Sequence, residues 1–224
     1  MLQSYVLRRV GQTMSKVTAI RTGKGRGKRV KVFLDGKFAF SLEAEVAAKE
    51  GLRVSQELYA SQIEALAKSN HFHRCFDAAA NYLSYRPRGE AELRARLLQR
   101  SFASESIEAV IAKLKERGLI DDIAFAQFWK NNRESFSPRS QWLTGLELRR
   151  KGVASNIIDQ AVDDIDDTDS AYRAALGKTH SLPLSDYHSF RRRLGNYLKR
   201  RGFGYDVINH TVEQMWQERG NGSG

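Results

Sequence analysis

The sequence predicts a mainly α-helical protein: three tandem three-helix repeats stacked as a curved solenoid, with a small N-terminal β-hairpin module in front. Three observations lead there. Residues 17–20, 29–34 and 37–41 read as strands, the second alternating at period two, residues from 70 onward switch to helical spacing, and apolar positions in the helical part recur at an offset of 51 and then 50 residues.

The module comes first. Val17-Thr18-Ala19-Ile20 and Arg29-Val30-Lys31-Val32-Phe33-Leu34 read as strands, the second with basic and apolar residues alternating. Asp35-Gly36 supplies the left-handed backbone of a two-residue hairpin turn, and Lys37-Phe38-Ala39-Phe40-Ser41 resumes the strand. Gly23 to Lys28 reads as a flexible cationic loop. A short helix is expected from Ser41, acting as its cap, to Lys49.

In the helical part, Ser101-Phe102, Gly152-Val153 and Gly202-Phe203 align. Leu97, Leu148 and Leu198 then fall in register, as do Ile107, Ile158 and Ile208. Ile111, Val162 and Val212 follow, and then Leu114, Ile165 and Met215, at spacings that share one helix face. Each unit is therefore a helix, a turn at Ser or Gly followed by an apolar residue, and a second helix. A preceding helix completes it, at Cys75–Tyr85, Asp122–Arg133 and Asp169–Leu176, with Asp122 and Asp169 as N-caps of the last two. Pro87-Arg88 and Pro138-Arg139 also align at 51, whereas the third unit carries a longer connection through Leu182-Pro183-Leu184. The expected organisation is an extension over 1–16, a β-rich module over 17–65, repeats over 70–121, 122–165 and 166–218, and a tail over 219–224.

Composition narrows the function. A 41% apolar content supports a packed core. No window approaches the ~18 apolar residues of a membrane span. Arg8 and Arg9 follow a short apolar patch, the reverse of a secretory signal. The single cysteine, Cys75, fits a reducing cytoplasm, and stacked repeats that bury their own faces fit a monomer. The net charge of +11 favours polyanionic partners, nucleic acid above all.

No catalytic constellation emerges. Gly23-Lys24-Gly25-Arg26-Gly27-Lys28-Arg29 is one residue short of a phosphate loop and has arginine where the magnesium-ligating hydroxyl belongs. His71, His73 and Cys75 do not converge on one helix face, so no metal centre is expected. Asp163, Asp164, Asp166, Asp167 and Asp169 lack the central glycine and terminal glutamate of a calcium loop and read as capping residues in a linker. No serine sits in a nucleophile elbow. The expectation is a non-enzyme without cofactors or metals.

Basic clusters remain. Arg94, Arg96 and Arg100, then Arg149, Arg150 and Lys151, then Lys199, Arg200 and Arg201 precede the turn column, with Arg191, Arg192 and Arg193 earlier in the third unit. A helix dipole accounts for one or two cations per helix end, not for clusters recurring in three units. Tyr85, Phe136, Trp142 and Tyr197 are interleaved aromatics that can stack on bases. Core or junction packing is the expectation for most of them.

These residues carry a family resemblance. Tyr82-Leu83-Ser84-Tyr85-Arg86-Pro87-Arg88-Gly89-Glu90-Ala91-Glu92-Leu93 resembles the opening repeat of RecX regulatory proteins, as does Gly118-Leu119-Ile120-Asp121-Asp122 followed by Phe125-Ala126 and Arg133. Pro138-Arg139 with Leu146 to Val153 resembles the second-repeat signature, and Arg200-Arg201-Gly202-Phe203 with Tyr205 and Ile208 the C-terminal one. The hairpin is similar to the extension of longer members. Ser101, where glycine is frequent, and Trp142 and Gly145, where polar or basic residues are common, depart from the pattern. The resemblance implies a regulator that binds the RecA recombinase filament on single- or double-stranded DNA and modulates, usually inhibits, ATP hydrolysis and strand exchange in recombination, DNA repair and the SOS response. Expected contacts to phosphate or acidic side chains are Arg88, Arg96, Arg133, Arg139, Arg149, Lys151, Arg200 and Arg201. An independent sequence-tolerant DNA-binding protein and a helical scaffold for another protein are the alternatives.

Overall fold

A computed structural model describes residues 14–22, 29–182 and 186–221. The cationic loop 23–28, most of the N-terminal extension, Pro183-Leu184 and the last three residues lie outside them. The protein is mainly helical, with a small strand module at its N-terminal end.

Strands β1 (Ser15–Thr22), β2 (Arg29–Leu34), β3 (Lys37–Glu43) and β4 (Glu57–Leu58) form an antiparallel sheet in the order β3-β2-β1-β4. Asp35 (φ 50°) and Gly36 (φ 75°) both adopt the left-handed conformation that a two-residue hairpin turn requires. The period-two pattern puts Val30, Val32 and Leu34 on the buried face and leaves Arg29 and Lys31 exposed. Helix α1 (Ala44–Lys49) follows without the expected cap. Ser41 pairs with Lys31 inside β3, and ladder pairing continues to Arg29↔Glu43. The inter-strand hydrogen bonds hold the chain extended past Ser41, so Glu43 occupies the cap position and makes no side-chain cap bond. Strand β4 is two residues long and offers no periodic signal.

Helix α2 runs from Ala60 to Tyr85, well before the expected start at Cys75. No glycine or proline interrupts it. Its first half places Ile63 and Leu66 in the module core, and its second half buries Cys75 and Ala79. The buried Asn70 side chain accepts a hydrogen bond from the backbone of Glu43 at 3.0 Å. Burial pushes the Cys75 thiol up to about 11, so it is a packing residue at neutral pH.

The repeats comprise α2 with α3 (Glu90–Gln99) and α4 (Ser104–Glu116), α5 (Asp122–Phe136) with α6 (Gln141–Arg150) and α7 (Ser155–Val162), and α8 (Asp167–Thr179) with α9 (Tyr187–Lys199) and α10 (Tyr205–Asn221). Two compact units result: residues up to Arg86 with Leu93–Arg117, and Pro87–Glu92 with the residues from Gly118 onward. The aligned columns are core. Leu97, Leu148 and Leu198 are wholly buried, and of the three apolar columns that follow the turn residues only Ile208 is partly exposed, while Phe102 beside the first turn is partly exposed as well. Ile165 lies beyond the end of α7, in a turn where its N–H donates to the Val162 carbonyl at 3.1 Å. In the third repeat Trp216 packs 5.3 Å from both Tyr187 and Phe190 between ring centroids.

The turn column has one geometry three times over. Ser101, Gly152 and Gly202 have φ of 59°, 80° and 88°. Phe102, Val153 and Phe203 each donate their N–H to the carbonyl of the column leucine, Leu97, Leu148 and Leu198, at 3.4, 3.2 and 3.4 Å. This is a Schellman closure: the otherwise orphaned helix carbonyl is satisfied and the following apolar side chain folds onto the last turn.

The caps differ from expectation by position and in reach. Asp121, not Asp122, caps α5, accepting from the backbone of Ile123 and Ala124. Asp166, not Asp169, caps α8, accepting from Thr168 and Asp169. The second aspartate of each pair reaches back to the preceding repeat. Asp122 accepts from the Glu90 N–H at 2.9 Å, and Asp167 from the Gln141 N–H at 2.7 Å. Asp169 instead pairs with Arg173 at 2.7 Å. Four of the five aspartates of the acidic run, Asp164, Asp166, Asp167 and Asp169, are taken up by caps and pairs, and no group of His, Cys, Asp or Glu among the described residues could hold a metal ion.

Two sets of outcomes test this construction. Ser101→Gly should stabilise the fold by about 0.5–1 kcal/mol, since glycine removes the Cβ penalty at positive φ. Gly152→Ala should destabilise it by roughly 2 kcal/mol or more, because a Cβ there would stand 2.4 Å from the Ala91 Cβ at an already unfavourable φ. Urea unfolding midpoints check both. At the second junction, burial raises the Asp167 carboxyl above its ordinary value, with the Asp166 charge adding to it and the Gln141 N–H opposing. A raised acid contributes stability in full below its unfolded pKa and loses it as pH rises through the folded one. Asp167→Asn, which keeps the acceptor, should therefore match or exceed the parent at pH 7 and lose that advantage below pH ~4. Asp167→Ala, which orphans the Gln141 N–H, should cost about 1–2 kcal/mol.

Candidate partner-binding surface

The eight sequence-selected cations divide by position in the fold. Arg96 on α3, Arg149 on α6 and Arg200 after α9 are exposed. The other five are half-buried and joined to neighbouring groups. Arg88 pairs with Glu92 at 2.6 Å, both side chains largely covered. Lys151 lies 3.7 Å from the same carboxylate and 4.1 Å from the Trp129 ring centre. These contacts tie the start of α3 to the second repeat.

Arg133 and Arg139 converge on Glu147. The Arg133 Nε donates to Glu147 Oε2 at 2.7 Å, Trp129 Nε1 donates to the same oxygen at 2.8 Å, and Arg139 pairs with Oε1. Arg133 also stacks on Trp129, 4.6 Å from the ring centre, so Trp129 carries a cation contact from Arg133 and another from Lys151. Burial lowers the pKa of both arginines, and for Arg139 the charges of Arg133 and Arg201 add to that effect. Both stay protonated at any physiological pH. Three guanidiniums with one carboxylate leave this cluster with excess positive charge.

Arg201 joins the second and third repeats. Its Nη1 donates to Ser137 Oγ at 2.9 Å and to the Pro138 carbonyl at 3.1 Å, and its own carbonyl accepts from the Ser140 N–H at 3.0 Å. Its guanidinium lies 4.5 Å from the Tyr197 ring centre. Lys130 is buried on α5 and bonds both oxygens of Asp164 at 2.8 and 2.9 Å, which holds that carboxyl below the usual range.

The sequence reading did not single out Glu147, Glu92 or Trp129. Glu147 had a usable signal: it is the sole acidic residue between Glu134 and Asp159, in a stretch holding Arg139, Arg149, Arg150 and Lys151. The aromatics depart from expectation. Tyr85, Phe136 and Trp142 are 76%, 82% and 66% exposed, and of the four only Tyr197 packs into a core. Their positions at helix ends, beside Pro87, Pro138 and the turns, keep them off the buried faces.

Glu147→Ala should destabilise the second repeat by about 2–3 kcal/mol, below the full penalty for a broken buried pair because the guanidiniums keep some access to water. Thermal or urea unfolding reads this.

Comparison with known proteins places this architecture. The RecX N-terminal domain model matches residues 15–59, and the model of the first three-helix domain of RecX matches 75–114. A regulatory protein RecX of Chlorobaculum tepidum is 37% identical over 142 residues, covering 63% of this chain and 88% of the relative. One from Clostridium botulinum is 29% identical over 206 residues, covering 90% and 96%. A crystal structure of regulatory protein RecX superposes with a TM-score of 0.63 at 24% identity, over 89% of this chain and 99% of the other. RecX from Lactobacillus salivarius gives 0.55 at 24% over 66% and 98%, and both likenesses concern the fold. With the strand module, the aligned repeats and a 37% identical relative matched over most of its length, the chain belongs to the RecX family of regulatory proteins.

Proposed function

We propose that this protein is a non-enzymatic cytoplasmic regulator that binds the RecA recombinase and its DNA filament and restrains ATP hydrolysis and strand exchange. Family membership carries the reading. The partner and the inhibitory direction come from the resemblance of the repeat signatures. The physical support is electrostatic. A net charge of +11 favours encounter with a polyanionic filament, and Arg96, Arg149 and Arg200 stand exposed for ionic contacts. No helix among the described residues is long and apolar enough to cross a membrane.

The five half-buried cations take a second role in this reading. Arg88, Arg133 and Arg139 brace helices within a repeat, Lys151 reaches Glu92 at the start of α3, Arg201 joins the second and third repeats, and the outward edges of their guanidinium and ammonium groups add to the positive field. Contacts made by Arg96, Arg149 and Arg200 can then be removed without unfolding the chain.

The deciding experiment adds the protein to recombinase filaments on single-stranded DNA and follows ATP hydrolysis and strand exchange. Both should fall at saturating protein. The triple substitution Arg96→Gln, Arg149→Gln, Arg200→Gln should weaken inhibition about tenfold or more while leaving the unfolding midpoint in place. Rates unchanged by a saturating amount of the parent protein would rule the reading out.

A further inference from the structure

In the second unit, the segment 137–140 between α5 and α6 docks on the turn 200–204 between α9 and α10. Arg201 donates to Ser137 Oγ and the Pro138 carbonyl, Ser140 donates back to Arg201, and a Cβ on Gly202 would stand 3.3 Å from Trp142 Cε3. Three large aromatic side chains flank this contact and all face solvent: Phe136 (82% exposed), Trp142 (66%) and Tyr205 (71%). Phe136 immediately precedes Ser137. Tyr205 follows Gly202 by three residues, at most about 11 Å of chain. Single exposed apolar residues are ordinary, but three around one docked pair of segments call for a reason.

The first junction serves as a control. It closes with the same turn geometry and the same back-reaching aspartate, and Tyr85 stands exposed at the position equivalent to Phe136, but the positions equivalent to Trp142 and Tyr205 are Ala91 and Ser155. This closure therefore does not require rings at the Trp142 and Tyr205 positions, which are particular to the second junction. Their surroundings are cationic, with Arg139 in the loop and Arg200 and Arg201 in the turn. Of the carboxylates close in sequence, Glu147 is already shared by Trp129, Arg133 and Arg139, while Glu134 stands two residues before Phe136 and the exposed Asp206 follows Tyr205. Arg200 is exposed and Arg139 half-buried. Flat apolar rings beside guanidiniums match a ligand with flat faces strung on a polyanion. A single strand offers its bases in this way, whereas a duplex offers phosphates but keeps its base faces stacked.

We propose that the docked loop and turn of the second and third repeats form a binding site for single-stranded nucleic acid, with bases stacking on Phe136, Trp142 and Tyr205 and phosphates on Arg139 and Arg200. The choice of a nucleic-acid ligand rests on the filament reading above. The location and the preference for a single strand rest on the exposed rings.

The test titrates the full chain with a thymidine homopolymer and with a duplex of equal length, following tryptophan fluorescence and anisotropy. Fluorescence should be quenched by the single strand in the parent and much less in Trp142→Ala. The variant Phe136→Ala, Trp142→Ala, Tyr205→Ala should lose single-strand affinity by about tenfold or more at fixed salt, with duplex affinity and the salt dependence unchanged. Arg200→Gln should instead reduce the slope of log affinity against log salt by about one. All three rings are exposed, so melting temperatures should hold, and Phe136→Ala alone provides a second variant outside any core cluster. Unchanged single-strand affinity in the folded triple variant overturns the proposal, as does an equal loss on duplex. A loss confined to a protein partner overturns it too and reassigns the rings to protein docking. A parent chain that inhibits the recombinase but binds no thymidine strand defeats this inference and leaves the function standing. A chain that binds through the rings without affecting the recombinase does the reverse.

Discussion

The helical part depends on how one repeat closes on the next, and that closure rests on a backbone constraint. A residue with positive φ must follow the middle helix so that the chain can fold back and satisfy the carbonyl of the buried column leucine. At the two later turns this residue is glycine, and glycine does more than turn the chain. A side chain at Gly152 would collide with Ala91, and one at Gly202 with Ser140 and Leu143, so the same residue that ends a helix also lets the start of α3 or of α6 approach. Asp122 and Asp167 complete the closure by satisfying a backbone N–H of the preceding repeat's middle helix. Backbone groups that would otherwise be orphaned at helix ends become the bonds that join repeats.

This closure determines which cations are available to a partner. The residues nearest the junctions, Arg88, Arg139, Lys151 and Arg201, carry much of the charge near the repeat ends, yet each is engaged by a carboxylate, a hydroxyl, a carbonyl or a ring. Half-buried arginine suits this role because its rigid fork can bridge several acceptors while remaining charged. One carboxylate, Glu147, serves two arginines and an indole, so local neutrality is not reached. Structural and surface cations are thus interleaved along the sequence, and charge alone does not separate them.

The same distinction explains what the sequence could reveal. The turn column and the buried leucine column were legible because backbone sterics and core packing impose the same residue types at each recurrence. The hairpin was legible because Asp35-Gly36 admits few other geometries. What escaped depended on contacts between residues distant in the chain. Ser41 had the chemistry of a cap, but pairing with Lys31 kept it in the strand. Either member of an Asp-Asp pair could cap its own helix, and which one reaches back is settled only by the neighbouring repeat. The eight candidate cations were identical in sequence terms, and burial alone divides them into three exposed and five engaged.

The differences between repeats follow from the same geometry. Ser101 has the same positive φ as its two glycine counterparts, but its side chain is exposed, so it bears only the conformational penalty and no collision. The third repeat's middle helix takes its cap from Asp186 immediately before it, which accepts from His188 and Ser189, instead of leaning on an aspartate of another repeat. Packing therefore fixes the turn residue and the cap at an internal junction and relaxes one of them elsewhere. Trp142 and Tyr205 do not fit that pattern. They occupy an internal junction, where constraint is greatest, at positions that the other junction fills with alanine and serine. A large exposed ring retained where a small residue would satisfy the fold is accounted for by what it touches outside the fold.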